Sequence, residues 1–466
     1  MQLILALAVL AALVIAENGP NAPVEGAGYR FLAATLGMGL VGLFGALIAG
    51  SVARQLERDF DGRATALRRF RRLRWVHMGL WLAVAGGILY GLQWGQMVRF
   101  NWRLNRVVLL DEILILVPLM LPMVLSWAAF YEVDRALRNG LDPVDAADPS
   151  LPTRGRYVLV QVRHVLGVLL LPVLLVVAVQ DVAELIAPGV LQSDEALLVY
   201  AVPFLLLLAL FPVMLRYVWE TRPLAAGPLR AKLEAAGRRA NFRCGQILVW
   251  QTNGMMVNAA VAGFVPALRY VFLTDALLSQ LSDGEIEAVF GHEVGHVRHR
   301  HLLLRIATMA MPVSLWLLVE QLVPQASQQV EHWLASGGLG RQAPVGLVML
   351  AAMGGYVGLV FGAFSRLLEY QADLFGCRIF GQEEGGESVA MMASALERLA
   401  YLSGIDRRWS GWQHASIARR VDFLRRAASD PAYERRFHRR VRTLGLVIIV
   451  ALLSPLVVGL AQSVRF

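Results

Sequence analysis

Nine apolar runs, most of them near the length that crosses a bilayer, constrain this chain more than any other feature. They cover approximately Leu3–Ala16, Phe31–Val52, Trp75–Leu92, Ile113–Phe130, Tyr157–Val179, Ala196–Leu215, Leu302–Val323, Pro344–Phe364 and Leu444–Leu460. A helix rises about 1.5 Å per residue, so a hydrocarbon core of about 30 Å takes about 20 residues to cross. The first run is short enough for a signal peptide, but it lacks the basic n-region such a leader uses and reads as a retained span. Charged residues are 17% of the 466-residue chain and hydrophobic ones 57%, against roughly 25% charged in a soluble domain. The apolar excess sits in the runs. The expected fold is mainly α, a polytopic membrane helix bundle of about nine spans with cytoplasmic segments long enough to fold.

Arginine placement orients the bundle. The loop Ala53–Arg74 holds eight Arg against three acids, which places it in the cytoplasm. Counting spans from there puts Tyr131–Arg156, Arg216–His301 and Ser365–Thr443, all Arg-rich, on the same side. Glu17–Tyr29 and Gln180–Glu195 contain no Lys or Arg and fall outside; Gln96–Arg106, with three Arg, disagrees. The net charge of +9 is thus accounted for by membrane orientation, and nucleic-acid binding is excluded. Cys244 and Cys377 both fall in cytoplasmic segments and read as free thiols. The expected organisation is an N-terminal membrane domain of about six spans (1–215), a first cytoplasmic part (216–301), a transmembrane hairpin (302–364), a second cytoplasmic part (365–443) and a last span (444–466). The expected location is the plasma (inner) membrane.

Within the first cytoplasmic part, a passage from Gln246 to Leu273 is rich in Val, Phe and Tyr and punctuated by Gly254 and Gly263, a β-like pattern. His292-Glu293-Val294-Gly295-His296 follows. On a helix, histidines four apart share a face, so both imidazoles reach one zinc while the glutamate between them faces the attacking water. Ser282 and Glu285 stand in capping-box spacing at the start of that helix. Zinc needs a third protein ligand and leaves its fourth position open. The candidate is Glu369, with Asp373 one turn later placed to accept the free ring N–H of a zinc-bound histidine.

Topology supports that pairing. Two apolar runs, an even number, separate His296 from Glu369, so both return to one side of the membrane. The motif ends about five residues before one run and Glu369 stands about five after the next, each roughly 8 Å from the membrane edge.

The metal helix, the segment Ser365-Arg366-Leu367-Leu368-Glu369-Tyr370-Gln371-Ala372-Asp373 and the hairpin between them resemble the integral-membrane zinc proteases of the CaaX prenyl protease and HtpX type, over about Arg216–Ala428. The resemblance implies a cytoplasmic gluzincin-like zinc protease domain containing a small β-sheet, with His292, His296 and Glu369 holding one zinc per chain and Glu293 as catalytic base. It also implies that Asn258-Ala259 belongs to an edge strand that binds the substrate backbone by β-addition; the plainer alternative is a turn asparagine. His414 with Arg420 resembles that family's His-Pro-x-x-x-x-Arg element, in which the histidine stabilises the oxyanion and the arginine orients a carboxylate near the site. Ala415 replaces the proline here, and a surface histidine is the alternative.

Other polar residues carry plainer readings. His299 and His301 read as solvated or interfacial residues beside a span, and His164 with Arg163 as groups near an inner membrane edge. Met255 and Met256 read as core. Asp111 and Glu112 read as an interfacial pair near Arg106, with the lining of an internal cavity as the functional alternative.

The expected function is a membrane-embedded zinc endopeptidase acting on polypeptides, including membrane proteins or lipidated peptides, in quality control or peptide processing. CaaX-type C-terminal processing is the alternative within that class. From another class, a non-catalytic zinc-stabilised scaffold or peptide sensor competes; Glu293 and an open fourth position argue against it, because structural zinc sites are closed by four protein ligands.

Overall fold

A computed structural model describes residues 2–58, 62–105, 107–138, 152–193, 196–335, 352–380, 385–404, 406–411 and 413–463. The chain divides into two compact units, one of residues 1–221 with the short segments 250–254 and 263–268, the other comprising the remainder.

The first unit is helical. Ala27–Arg58, Thr65–Gly91, Arg154–Ile186 and Ala196–Val218 are each long and apolar enough to cross a membrane, whereas Gln2–Glu17 is shorter. With His301–Leu322 and Pro431–Ser463 of the second unit, six such helices lie among the described residues, against the nine runs of the sequence. Two runs account for part of the difference. Ile113–Phe130 is divided between helices Leu110–Ile115 and Val117–Arg138, just before Pro118, which has no N–H to continue the ladder and whose ring crowds the preceding turn. Pro344–Phe364 begins outside the described residues.

Asp111 and Glu112 are buried, and the cation they contact is Arg99. It donates from Nε to Asp111 at 2.8 Å, from Nη2 to Glu112 at 3.2 Å and from Nη1 to Glu17 at 2.8 Å. Taking charges out of water is costly unless each finds a partner, and one guanidinium contacts all three carboxylates while its single charge offsets only one of them. Arg106 lies outside the described residues. His164 is likewise buried, accepting a hydrogen bond from the Trp250 indole.

The second unit combines a small sheet with packed helices. Strands β1 (Thr221–Pro223), β2 (Gln246–Trp250), β3 (Ala259–Ala262) and β4 (Tyr270–Thr274) form one sheet in the order β1-β2-β4-β3. The β-like passage therefore supplies three strands, and Gly254 and Gly263 between them take φ of +69° and +121°, values a side chain would strain. β4 is wholly buried, whereas β3 is an edge strand, antiparallel to β4 with Ala259 opposite Leu273 and Val261 opposite Val271. Met256, expected in the core, is 37% exposed.

The metal helix spans Asp283–Arg298 and begins with a complete capping box: Ser282 Oγ accepts from the Glu285 N–H and Glu285 accepts from the Ser282 N–H. It packs antiparallel against the helix Gly362–Phe380, here termed the carboxylate helix. Both carry small residues four apart at the crossing, Gly291 and Gly295 on one, Ala372 and Gly376 on the other. A Cβ on Gly291 would lie 3.1 Å from the Gly376 Cα, and one on Gly295 would lie 3.1 Å from the Ala372 Cα and carbonyl oxygen. The two backbones are in direct contact, as small-xxx-small patterns permit.

Because backbone cannot move aside as a side-chain tip can, Gly291→Val is expected to destabilise the protein by about 1–3 kcal/mol. Thermal melting of purified wild type and variant measures this; equal melting temperatures would show that the helices separate freely.

Candidate metal centre

The crossing sets the register of the polar residues beside it. His292 and His296 follow Gly291 and Gly295 by one residue, Asp373 follows Ala372 by one, and Glu369 precedes Ala372 by three. Three side chains converge: one ligand atom each from His292, His296 and Glu369 lie within 4.8 Å of one another. The two Nε2 atoms are 3.1 Å apart, His296 Nε2 is 3.5 Å from Glu369 Oε1, and His292 Nε2 is 3.8 Å from Glu369 Oε2. Ligands about 2.0–2.1 Å from a tetrahedral zinc stand about 3.3 Å from each other, so the donor set fits one ion of that size and coordination.

Each imidazole is held through its other nitrogen. His292 Nδ1 lies 2.8 Å from Asp373 Oδ1, and Arg420 grips both oxygens of that carboxylate, Nε to Oδ2 at 2.8 Å and Nη2 to Oδ1 at 2.5 Å. Asp373 is fully buried and its isolated charge would be costly there; the bidentate guanidinium compensates. Burial opposes ionisation of Asp373, but the charge of Arg420 and its hydrogen bonds outweigh it and hold the carboxyl below its ordinary range. Burial likewise opposes charge on His292, yet the hydrogen bond and charge of Asp373 raise its pKa. His296 Nδ1 lies 2.7 Å from His301 Nδ1, and His301 Nε2 lies 3.0 Å from Gln371 Oε1.

His301 is 1% exposed, so its expected solvated position is corrected, as is that of half-buried His299, whose ring stacks on it. Five residues along a straight helix would carry His301 away from the His296 face. Arg300 takes the left-handed φ of 55° between the metal helix and the helix His301–Leu322, and this turn brings the ring back. His301, Gln371 and Arg305, which donates to Glu369 Oε1 at 2.8 Å, are the neighbours sequence reasoning missed; the one available signal was the unusual His299-Arg300-His301 run at the end of a metal helix.

Glu369 is buried, and burial alone would favour its neutral form. The hydrogen bond from His414 Nδ1 at 2.8 Å and the histidines around it instead hold it well below the ordinary carboxylate range. The His414 side chain is 61% exposed. Glu293 lies between the two histidines in sequence; burial first, then the nearby Glu369 charge, pushes its carboxyl up to about 6 against the pull of His292 and a hydrogen bond from Val261. That bond ties the metal helix to β3. Asn258 accepts from the Thr274 N–H at 3.1 Å, which makes the 258–274 pair hydrogen-bonded and turns the backbone groups of Ala259 and Val261 toward the edge, by the alternation of an antiparallel ladder. There the Ala259 N–H donates to Asn258 Oδ1 at 3.0 Å and Val261 donates to Glu293.

Comparison with known proteins accords with this arrangement. Residues 223–438 match the model of peptidase family M48. The match takes in the two crossing helices and all three converging side chains, just under half of the chain. A protease HtpX homolog of Aeropyrum pernix is 31% identical over 202 residues, 41% of this chain and 60% of that protein. One of Desulforapulum autotrophicum is 29% identical over 192 residues, 40% of this chain and 57% of that protein. The crystal structure of S. mikatae Ste24p superposes with a TM-score of 0.47 at 14% identity, covering 86% of this chain and 99% of that one. The chain spans between half and two thirds of the length of these two curated relatives. The HtpX-type resemblance read from the motifs is borne out, the match to family M48 implies a metal, and the apolar helices make the chain an integral membrane protein.

If Asp373 fixes the His292 ring, Asp373→Asn should fold yet hold zinc about 10–100-fold more weakly. Competition against a chromogenic chelator reports the affinity, and wild-type affinity in the variant would remove Asp373 from the metal's support.

Proposed function

We propose that this protein is a membrane-embedded zinc-dependent endopeptidase whose site faces the cytoplasm from the inner membrane. The observation that carries the reading is the convergence of the His292 and His296 Nε2 atoms with the Glu369 carboxylate, beside a half-buried Glu293. Zinc held by these three residues would supply Lewis acidity to a water and a peptide carbonyl at its open fourth position.

The chain's own residues do the rest. An extended substrate pairs with β3, using the outward carbonyl of Ala259, with Asn258 bracing the strand through Thr274. Its scissile carbonyl is thereby delivered beside the metal helix. Glu293, poised near neutrality, takes the proton of the attacking water as the new C–O bond forms, and gives it to the leaving amine as the C–N bond breaks. His414 stands against Glu369 and donates to the oxygen on which charge develops. Arg420 acts through Asp373, keeping the His292 ring in one tautomer and orientation.

The substrates are polypeptides at or in the bilayer. The curated relatives are named proteases of the HtpX type; the role proposed for this chain is membrane-protein quality control or peptide processing, with C-terminal trimming of lipidated peptides as the alternative.

Two variants separate the roles. Glu293→Gln is expected to retain zinc by elemental analysis but to lose cleavage of an unstructured peptide, as the wild type should on treatment with a chelator. Cleavage surviving either treatment removes the zinc-hydrolase reading. His414→Ala should lower kcat about 10²–10³-fold with zinc content unchanged; loss of zinc instead would make it a support for Glu369 only.

A further inference from the structure

A cavity of about 600 Å³ opens in the same unit as the metal helix, between the start of His301–Leu322 and the helix Pro431–Ser463. Its lining has two zones. Arg435, His438, Arg439 and Arg442 supply the polar end; Leu446 and Ile449 continue the same wall with apolar surface. The spacing explains why they share it: on a helix, positions 435, 439, 442, 446 and 449 fall within one narrow arc, and the wall runs about 21 Å along the axis.

The sequence changes character inside that length. Residues 435–442 contain five Arg, whereas Leu444–Leu460 contains no ionisable residue. This is the profile of a helix entering a bilayer. Arg436, off the arc, pairs with Asp430, and no ion pair to Arg435, Arg439 or Arg442 is found among the described residues. Among the described residues, three guanidiniums thus face one cavity without an ion pair. Glu434, one residue before Arg435, is engaged by Arg378 and stands 3.4 Å from His438 Nε2.

Concentrated positive charge beside apolar wall at a membrane boundary matches one chemistry: a phosphate anion bearing acyl chains. We propose that this cavity binds the headgroup and upper acyl chain of an anionic phospholipid, with Arg435, Arg439 and Arg442 holding the phosphate and Leu446 and Ile449 covering the chain. Gln371 also lines the cavity, its amide nitrogen 3.4 Å from His438 Nδ1 and its oxygen on His301. The occupant therefore sits one side chain away from the imidazole that touches His296.

The test uses the full chain, stripped of lipid in neutral detergent and titrated with phosphatidylglycerol, phosphatidylcholine or inorganic phosphate under native mass spectrometry. Wild type is expected to retain phosphatidylglycerol at least about fivefold better than phosphatidylcholine. Arg435→Gln/Arg439→Gln/Arg442→Gln should abolish that preference, whereas Arg436→Gln/Arg440→Gln, off the arc, should keep it. Equal loss in both variants would mean general surface charge, and full competition by millimolar inorganic phosphate would mean an anion site without lipid; either overturns the proposal. A matching melting temperature in detergent confirms that each variant is folded. Lipid retention is read without catalysis, so its failure stays distinct from failure of the protease reading.

Discussion

Backbone contact between the metal helix and the carboxylate helix is the constraint from which the rest of the site follows. A helix pair with ordinary side chains between them keeps its axes about 8–10 Å apart, and short groups on either could not then meet. Gly291 and Gly295 against Ala372 and Gly376 remove that spacer. Asp373, with only one methylene, thereby reaches His292, and Glu369 reaches both imidazoles. The glycines inside and just ahead of the metal motif are thus as much a part of its geometry as the histidines.

Around that contact the polar groups are arranged in chains rather than as isolated donors. One runs Arg420–Asp373–His292, the other Gln371–His301–His296. The two differ in character. The first is an ion pair fully withdrawn from water; the second is a relay of neutral groups. Ring orientation is fixed in both, but only the first adds negative charge behind a ligand, so the two imidazoles are electronically unequal.

Much of this was legible in the residues. Two histidines four apart and an acid pair four apart encode two helix faces, and the even number of apolar runs between them encodes their reunion. The Ser282–Glu285 box and the glycine-punctuated strands also speak locally. What sequence could not give was anything decided by a turn or by a long-range partner. His301 was placed off the site because a helical wheel assumes the helix continues, whereas Arg300 ends it. Asp111 and Glu112 were read beside Arg106 because Arg99, the cation they contact, lies 12 and 13 positions away with no periodicity linking them. The run at Ile113–Phe130 reads as one segment because hydropathy averages over Pro118, near which the chain changes from one helix to the next.

The same short turn has a mechanical meaning. Only His299 and Arg300 separate the end of the metal helix from a helix able to cross the bilayer, and the His296–His301 contact bridges that joint. The joint has little slack. A helix of this kind matches a thicker or thinner bilayer chiefly by tilting. Two residues and one contact between rings are all that separate the angle of that rod from the direction in which the His296 imidazole points.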